Sequence, residues 1–161
     1  DQISVIHQGE TLQQGLPDHV LHRPKNTAIA KQVDARNINS AVLVEHDSQL
    51  KLQWHSFVFT VKNITGFDVG QDVSWTISAA KILLHQRVRP SRGIHENPVS
   101  GTITNKVTLR GITTISIAIE HTEGLQLQMD VPEHVAMRNQ LQVGEAITVS
   151  VLAEAIHLMA D

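Results

Sequence analysis

The chain has 161 residues, room for one ordinary domain or two very small ones. Apolar residues make up 41%, enough to build a core, and charged residues 18%, too few for a disordered chain. The net charge of -3 argues against a phosphate-tracking surface and so against nucleic acid as a partner, and the absence of cysteine excludes a disulfide frame and thiolate chemistry.

The apolar set leans on Val, Ile and Leu, with two Trp, three Phe and no Tyr, which suits short strands on aliphatic cores. No apolar run reaches the length of a membrane span, and the N-terminus lacks a basic-then-apolar signal pattern. The chain opens on Asp1 and passes directly into a strand-like run, as a piece of something longer would.

In chain order, Ile3-Ser4-Val5-Ile6 predicts a strand, Gly9-Glu10 a turn and Thr11–Gln14 a returning strand. Pro17 and Asp18 suit the first turn of a helix reaching Leu21. After Pro24, residues Lys25 to Val33 predict a second short helix with Ala28, Ile29 and Val33 on one face. From Asn37 the pattern turns to period two. Strands are expected near Ala41–Glu45, Leu50–Gln53, Phe57–Val61, Asp72–Ile77 and Lys81–His85. After a linker-like stretch over 86–98 they resume near Gly101–Lys106, Thr113–Glu120, Leu125–Val131, Ala146–Leu152 and Ala155–Met159. Pro132 to Met137 predicts one helical turn. Many short strands separated by turn signals point to a mainly β protein of small barrels or sandwiches.

An internal repeat orders these elements. Residues Val69 to Leu84 lie over Val143 to Leu158, with Val-Gly, an alanine and a closing Ile-x-Leu in common. Upstream, Arg36-Asn37 lies over Glu96-Asn97, each leading into a strand. Residues 34–85 and 94–159 therefore read as two copies of one β unit. Each copy is small for independent stability, and packing together or exchanging strands buries more surface.

Two stretches carry a family resemblance. Ser4 to Pro24, a strand, a Gly turn, a strand ending in Gln14-Gly15, a Pro17-led helix and Arg23-Pro24, resembles the end of the nucleotide-binding domain of ABC-importer ATPases. The remainder resembles the TOBE or Mop-like domains that follow it. Asp34-Ala35-Arg36-Asn37 is similar to the Ser-Ala-Arg-Asn opening of Mop modules, and Val143 to Leu158 to their closing strands. The resemblance implies two tandem OB-like or Mop-like small β-barrels preceded by a β-hairpin and helix. Residues 1–33 would be the tail of the nucleotide-binding domain, 34–86 the first unit and 87–161 the second. Residues 1–33, cut from their parent, are expected to be partly disordered or to make a dimer contact through exposed apolar surface.

The parts that hydrolyse ATP are missing from this sequence. It has no Gly-x-x-x-x-Gly-Lys-Ser/Thr loop, no signature Ser-Gly-Gly segment and no strand ending in Asp-Glu. The fragment is therefore expected to be non-catalytic and without a cofactor, while ATP and magnesium belong to the parent. The resemblance implies a regulatory and dimerisation role on the cytoplasmic face of the membrane, a homodimer, and permease subunits as partners through the parent. Direct membrane insertion is not expected.

The same resemblance raises oxyanion sensing by molybdate, tungstate or sulfate as the alternative. The candidate oxyanion residues are Arg36, Ser78, Arg89 and Arg92. The sequence departs from the motif: its Ser is Asp34, its Lys-Ala-Ser is Ser78-Ala79-Ala80, and in the second copy the arginine and lysine positions are Glu96 and Leu152. A carboxylate repels an oxyanion at close range. Arg89-Pro90-Ser91-Arg92-Gly93 before His95-Glu96-Asn97 leans towards the molybdate-type branch.

Other constellations read as structural. His19 and His22 share a helix face without the further ligands a zinc site needs. His95, His121 and His134 read as surface residues. Arg87, Arg89 and Arg92 read as a solvated linker. Trp54 and Trp75 read as core or interface packing rather than a base-stacking platform. Glu120 and Glu123 sit at a strand end beside a Gly turn, with nothing in the sequence to place them in a cleft. No Gly-x-Ser-x-Gly elbow indicates a catalytic triad.

Overall fold

The computed structural model describes residues 1–85, 93 and 95–160. Strands dominate it, as the alternation predicts. The chain opens with β1 (Ile3–His7) and β2 (Glu10–Gly15), an antiparallel hairpin closed by Gln8 and Gly9. Both turn residues have positive φ, the backbone that matches the twist of the flanking strands. Helix α1 (Pro17–His22) begins on its proline, whose missing N–H costs nothing there. Helix α2 (Thr27–Gln32) is capped by Asn26, whose side chain accepts from the Ile29 N–H at 3.0 Å.

These elements enclose a small apolar cluster of Val5, Val20 and Ile29, with Ile3, Leu12 and Val33 against it. Residues 1–33, expected to be partly disordered, thus form defined elements with a centre of their own. The expected apolar face of α2 is corrected: Ala28 is exposed and Ala30 is buried beside Ile29. The buried Gln13 ties the following loop to β2. Its Nε2 donates to the Arg23 carbonyl at 3.1 Å, and its Oε1 accepts from the Lys25 N–H at 2.9 Å.

Two compact units follow from the folding of the chain, residues 1–78 with 156–161 and residues 79–155. The first carries β3 (Asn37–His46), β4 (Gln49–Trp54), β5 (Phe57–Phe59) and β6 (Asp72–Ile77). Its alternating inward residues build an aromatic core in which Trp54 and Trp75 meet edge to face, their ring centroids 5.2 Å apart, with Phe59 beside both. Both tryptophans are buried, as core packing requires.

The second unit carries β7 (Leu83–Leu84), β8 (Pro98–Leu109), β9 (Ile112–Ile119), β10 (Gln126–Pro132), α3 (Glu133–Arg138) and β11 (Ala146–Ser150). The expected strand over Lys81–His85 is shorter than the pattern suggests, because Ala79–Lys81 form a 3-10 turn first. The core here is aliphatic, from Ile103, Ile115, Ile117, Leu127, Met129 and Val149. Gly101 lets β8 lie close on β9: a Cβ there would sit 2.3 Å from the Ala118 carbonyl oxygen.

The last strand, β12 (His157–Met159), returns to the first unit. One sheet runs β12-β6-β3-β4-β5 and the other β10-β9-β8-β11-β7. Read from the other edge, the second order is β7-β11-β8-β9-β10, the same arrangement with each strand replaced by its repeat partner. Only the edge strands are exchanged. β7 follows β6 in sequence but pairs with β11, and β12 follows β11 but pairs with β6.

The registers also correspond. Leu83 faces Ser150 and Leu84 faces Val149, while His157 faces Thr76 and Leu158 faces Trp75. In the repeat alignment each of these pairs lies over the other. The compact units consequently divide at 78/79 and 155/156, whereas the sequence suggests a boundary at 86/87. Similar apolar runs fill both edge positions, so their sequence does not reveal which sheet each completes.

Candidate functional site

Two places in the fold gather polar side chains from distant parts of the sequence. The first lies where β3 begins and β6 ends. Asn37 pairs with Ile77, and its Nδ2 donates to the Ile77 carbonyl at 3.2 Å. Arg36, immediately before Asn37, and Ser78, immediately after Ile77, are thereby brought to the same end of one strand pair. Arg36 is exposed and Ser78 half-buried. Asp34, where the Mop-like motif has a serine, stands just upstream with a positive φ of 58°. The remaining candidates, Arg89 and Arg92, together with Arg87, lie outside the described residues.

The second place is the corresponding end of the other sheet. Asn97 Nδ2 donates to the Val151 carbonyl at 2.8 Å, repeating the Asn37 arrangement, and the Val151 N–H returns a bond to the Asn97 carbonyl at 3.2 Å. Glu96 occupies the position of Arg36. Its Oε2 accepts from the Ser150 hydroxyl at 3.2 Å and lies 3.7 Å from His85 Nε2. His85 Nε2 in turn hydrogen-bonds Ser150 Oγ.

The direction of this chain follows from its geometry. Ser150 gives its one proton to the carboxylate, so its oxygen accepts from the imidazole, and His85 carries its hydrogen on Nε2. The ring is buried, and among the described residues its Nδ1 has no hydrogen-bond partner. This is not an activated nucleophile. The serine is buried and its proton is committed to Glu96, whereas nucleophilic catalysis needs a base accepting that proton beside an accessible oxygen.

His85 also lines a cavity of about 500 Å³ in this unit, together with Leu84, Ser100, Glu120, Leu141, Glu145 and Ile147. Glu120 is therefore at a cleft after all, which the sequence does not reveal. Ser100 and Thr148 satisfy one another through their hydroxyls at 2.8 Å.

The other histidines divide by location. His95, His121 and His134 are exposed, as read from the sequence. His22 Nδ1 meets Asp18 Oδ1 at 2.9 Å one helical turn away, a pairing not anticipated. His157 on β12 hydrogen-bonds the Pro24 carbonyl through Nε2 at 2.7 Å. Burial holds its pKa below the ordinary histidine value, and the nearby charges of Arg23 and His19 add to that, against the opposing effect of the Pro24 bond. Neither His85 nor His157 carries a sequence motif. His85 directly follows edge strand β7, and His157 opens edge strand β12.

No protein-family profile matches the chain. Over 159 residues, 99% of its length, the chain is 25% identical to the spermidine/putrescine import ATP-binding protein PotA of Clostridium novyi (strain NT). It spans 40% of that relative. Among solved structures it is similar to the cytoplasmic molybdate-binding protein ModG, in a form with molybdate bound. The TM-score is 0.66 at 15% identity, over 77% of this chain and 95% of that one. The relative agrees with the resemblance to an importer ATP-binding subunit, and the solved structure with the Mop-like fold of tandem small β units.

Proposed function

We propose that this chain is the non-catalytic regulatory and dimerisation region of an ABC-importer ATP-binding subunit, acting on the cytoplasmic face of the membrane. The observation that carries this reading is the end-to-end likeness to an import ATP-binding protein in a chain that lacks the phosphate-cradling loop. ATP and magnesium would be bound elsewhere in such a subunit, and its permease partners would be met through that larger protein.

A surface suited to self-association supports the dimer. Val107, Leu109 and Ile112 are 54%, 70% and 45% exposed near the tip of the β8–β9 hairpin. Val107 and Leu109 are two apart on one strand, and Leu109 faces Ile112 across the pair, so all three share one face of the hairpin. Burial of this face between two copies would remove it from water. Substituting Leu109→Asp tests the contact: the wild-type chain is expected to sediment as a dimer and the variant as a monomer. A wild-type monomer at the same concentration sinks the reading.

A second reading is favoured by the meeting of Arg36 and Ser78 at one strand end: an oxyanion bound there would regulate transport. Molybdate, tungstate or sulfate would then raise the melting temperature of the wild type and not of Arg36→Ala, because only a ligand that binds the folded state stabilises it. Identical melting with and without all three oxyanions removes this second reading and leaves the first intact.

A further inference from the structure

Three consecutive residues of the loop between α1 and α2 are held by side chains from two distant strands. Gln13 on β2 takes the Arg23 carbonyl at 3.1 Å and the Lys25 N–H at 2.9 Å, and His157 on β12 takes the Pro24 carbonyl between them at 2.7 Å. Pro24 is buried, with exposed Arg23 and Lys25 on either side. β12 follows β11 in the second repeat yet completes the sheet of the first unit, and the loop belongs to that same unit. One imidazole therefore ties a strand exchanged between the repeats to residues 1–33. A carbonyl can only accept, so the neutral ring carries its hydrogen on Nε2.

We propose that His157 is an acid-released latch that docks the loop between α1 and α2 on β12. The neutral ring makes the bond to Pro24 without bringing a charge. A protonated ring still donates to that carbonyl, but its charge is then half-buried and faces Arg23 and His19, both basic. Asp18, the acid of α1, is engaged with His22 one turn away. Opposite on β6 stand Ser74, Trp75 and Thr76, and beside it on β12 are Leu158 and Met159, none of which carries a charge. None of these groups offers a free carboxylate to offset the new proton. Burial and like charge thus outweigh the gain in the bond, in keeping with the lowered pKa of His157. The loop is docked above pH 6.5 and is released as the pH falls from there through the folded pKa, leaving Gln13 alone to hold it. The latch belongs to the chain itself and does not depend on the transport role.

Nitrogen-15 NMR of the full chain, titrated from about pH 7.5 to about 4.5, tests it. The His157 ring is expected to titrate with a midpoint below 6.5. With that same midpoint the order parameters of the Lys25 and Asn26 amides should fall from about 0.85, the value of rigid backbone, towards about 0.6. The amides of Leu127 and Met129, in the core of the other unit, should stay rigid. His157→Gln keeps a donor for the Pro24 carbonyl and cannot titrate, so its loop should stay rigid throughout. Should that variant fail to fold, the wild-type midpoints decide alone. A loop that stays rigid while the His157 ring titrates would reduce that side chain to a structural contact and overturn the proposal. So would loosening that persists in His157→Gln, or loosening that Leu127 and Met129 share.

Discussion

Asn97 Nδ2 donates to the carbonyl of Val151 at 2.8 Å, and Asn37 does the same to Ile77 at 3.2 Å in the other unit. The four residues occupy matching places in the repeat, so one side chain closes the same strand pair twice. Both asparagines are buried. Replacing either with alanine strips a buried carbonyl of this donor and is expected to cost about 1–3 kcal/mol. Chemical denaturation of Asn37→Ala and Asn97→Ala checks this. A loss smaller than a few tenths of a kcal/mol in both would mean that the shared anchor does not support the fold.

The strand exchange makes a regional prediction. Leu158 belongs by sequence to the second repeat but packs in the first unit, opposite Trp75. Leu158→Ala should destabilise the protein by about 2–5 kcal/mol. Hydrogen exchange should quicken at Trp75 and Thr76 while Leu127 and Met129 in the other unit stay protected. Faster exchange confined to β11 would instead mean that β12 folds back on its own repeat.

Among the described glycines, Gly101 is the one where an added Cβ would come within 3.0 Å of a neighbouring atom. In Gly101→Ala the new methyl group meets the Ala118 carbonyl oxygen and the Ile117 side chain, both inside ordinary contact distance. Such overpacking is expected to cost about 1–3 kcal/mol. Thermal melting of this variant against Gly111→Ala separates steric crowding from backbone freedom, since Gly111 has open space around it and a positive φ.

His157 gives a pH dependence of defined sign. Its folded pKa is lowered from 6.5, chiefly by burial, so below pH 6.5 the unfolded chain binds a proton more readily than the native one. The associated stability is fully present above pH 6.5 and falls as the pH drops from there towards the folded pKa. His157→Gln keeps a donor for the Pro24 carbonyl but removes the titration. Urea denaturation at pH 7.5 and 5.5 should show a smaller acid loss in the variant than in the wild type. Equal losses would place the pH sensitivity elsewhere.

Much of the fold is legible in the sequence because period-two alternation survives folding. Val73, Trp75 and Ile77 all face inward as their spacing predicts. The Val69-Gly70 and Val143-Gly144 pairs reveal the repeat, and the Asn37 and Asn97 matches mark where each unit starts. The exchange of β7 and β12 is hidden because Leu83-Leu84 and His157-Leu158 offer no feature that chooses between two sheets of like register. The α2 face is misread because alanines at 28 and 30 give no hydrophobic contrast. The cavity is hidden for another reason: His85, Ser100, Glu120 and Glu145 line it from distant parts of the sequence, and neither spacing nor motif connects them. The Mop-like resemblance singles out Arg36 and Ser78, and the pairing of Asn37 with Ile77 puts those two positions at the same end of one strand pair.

The claim on which the functional account turns is self-association of this chain. Multi-angle light scattering of the wild type and of Leu109→Asp at the same concentration measures it most directly. The account predicts a wild-type mass of twice 17.8 kDa and a variant mass of 17.8 kDa. A wild type that elutes at 17.8 kDa, or a variant that remains at twice that mass, would contradict it.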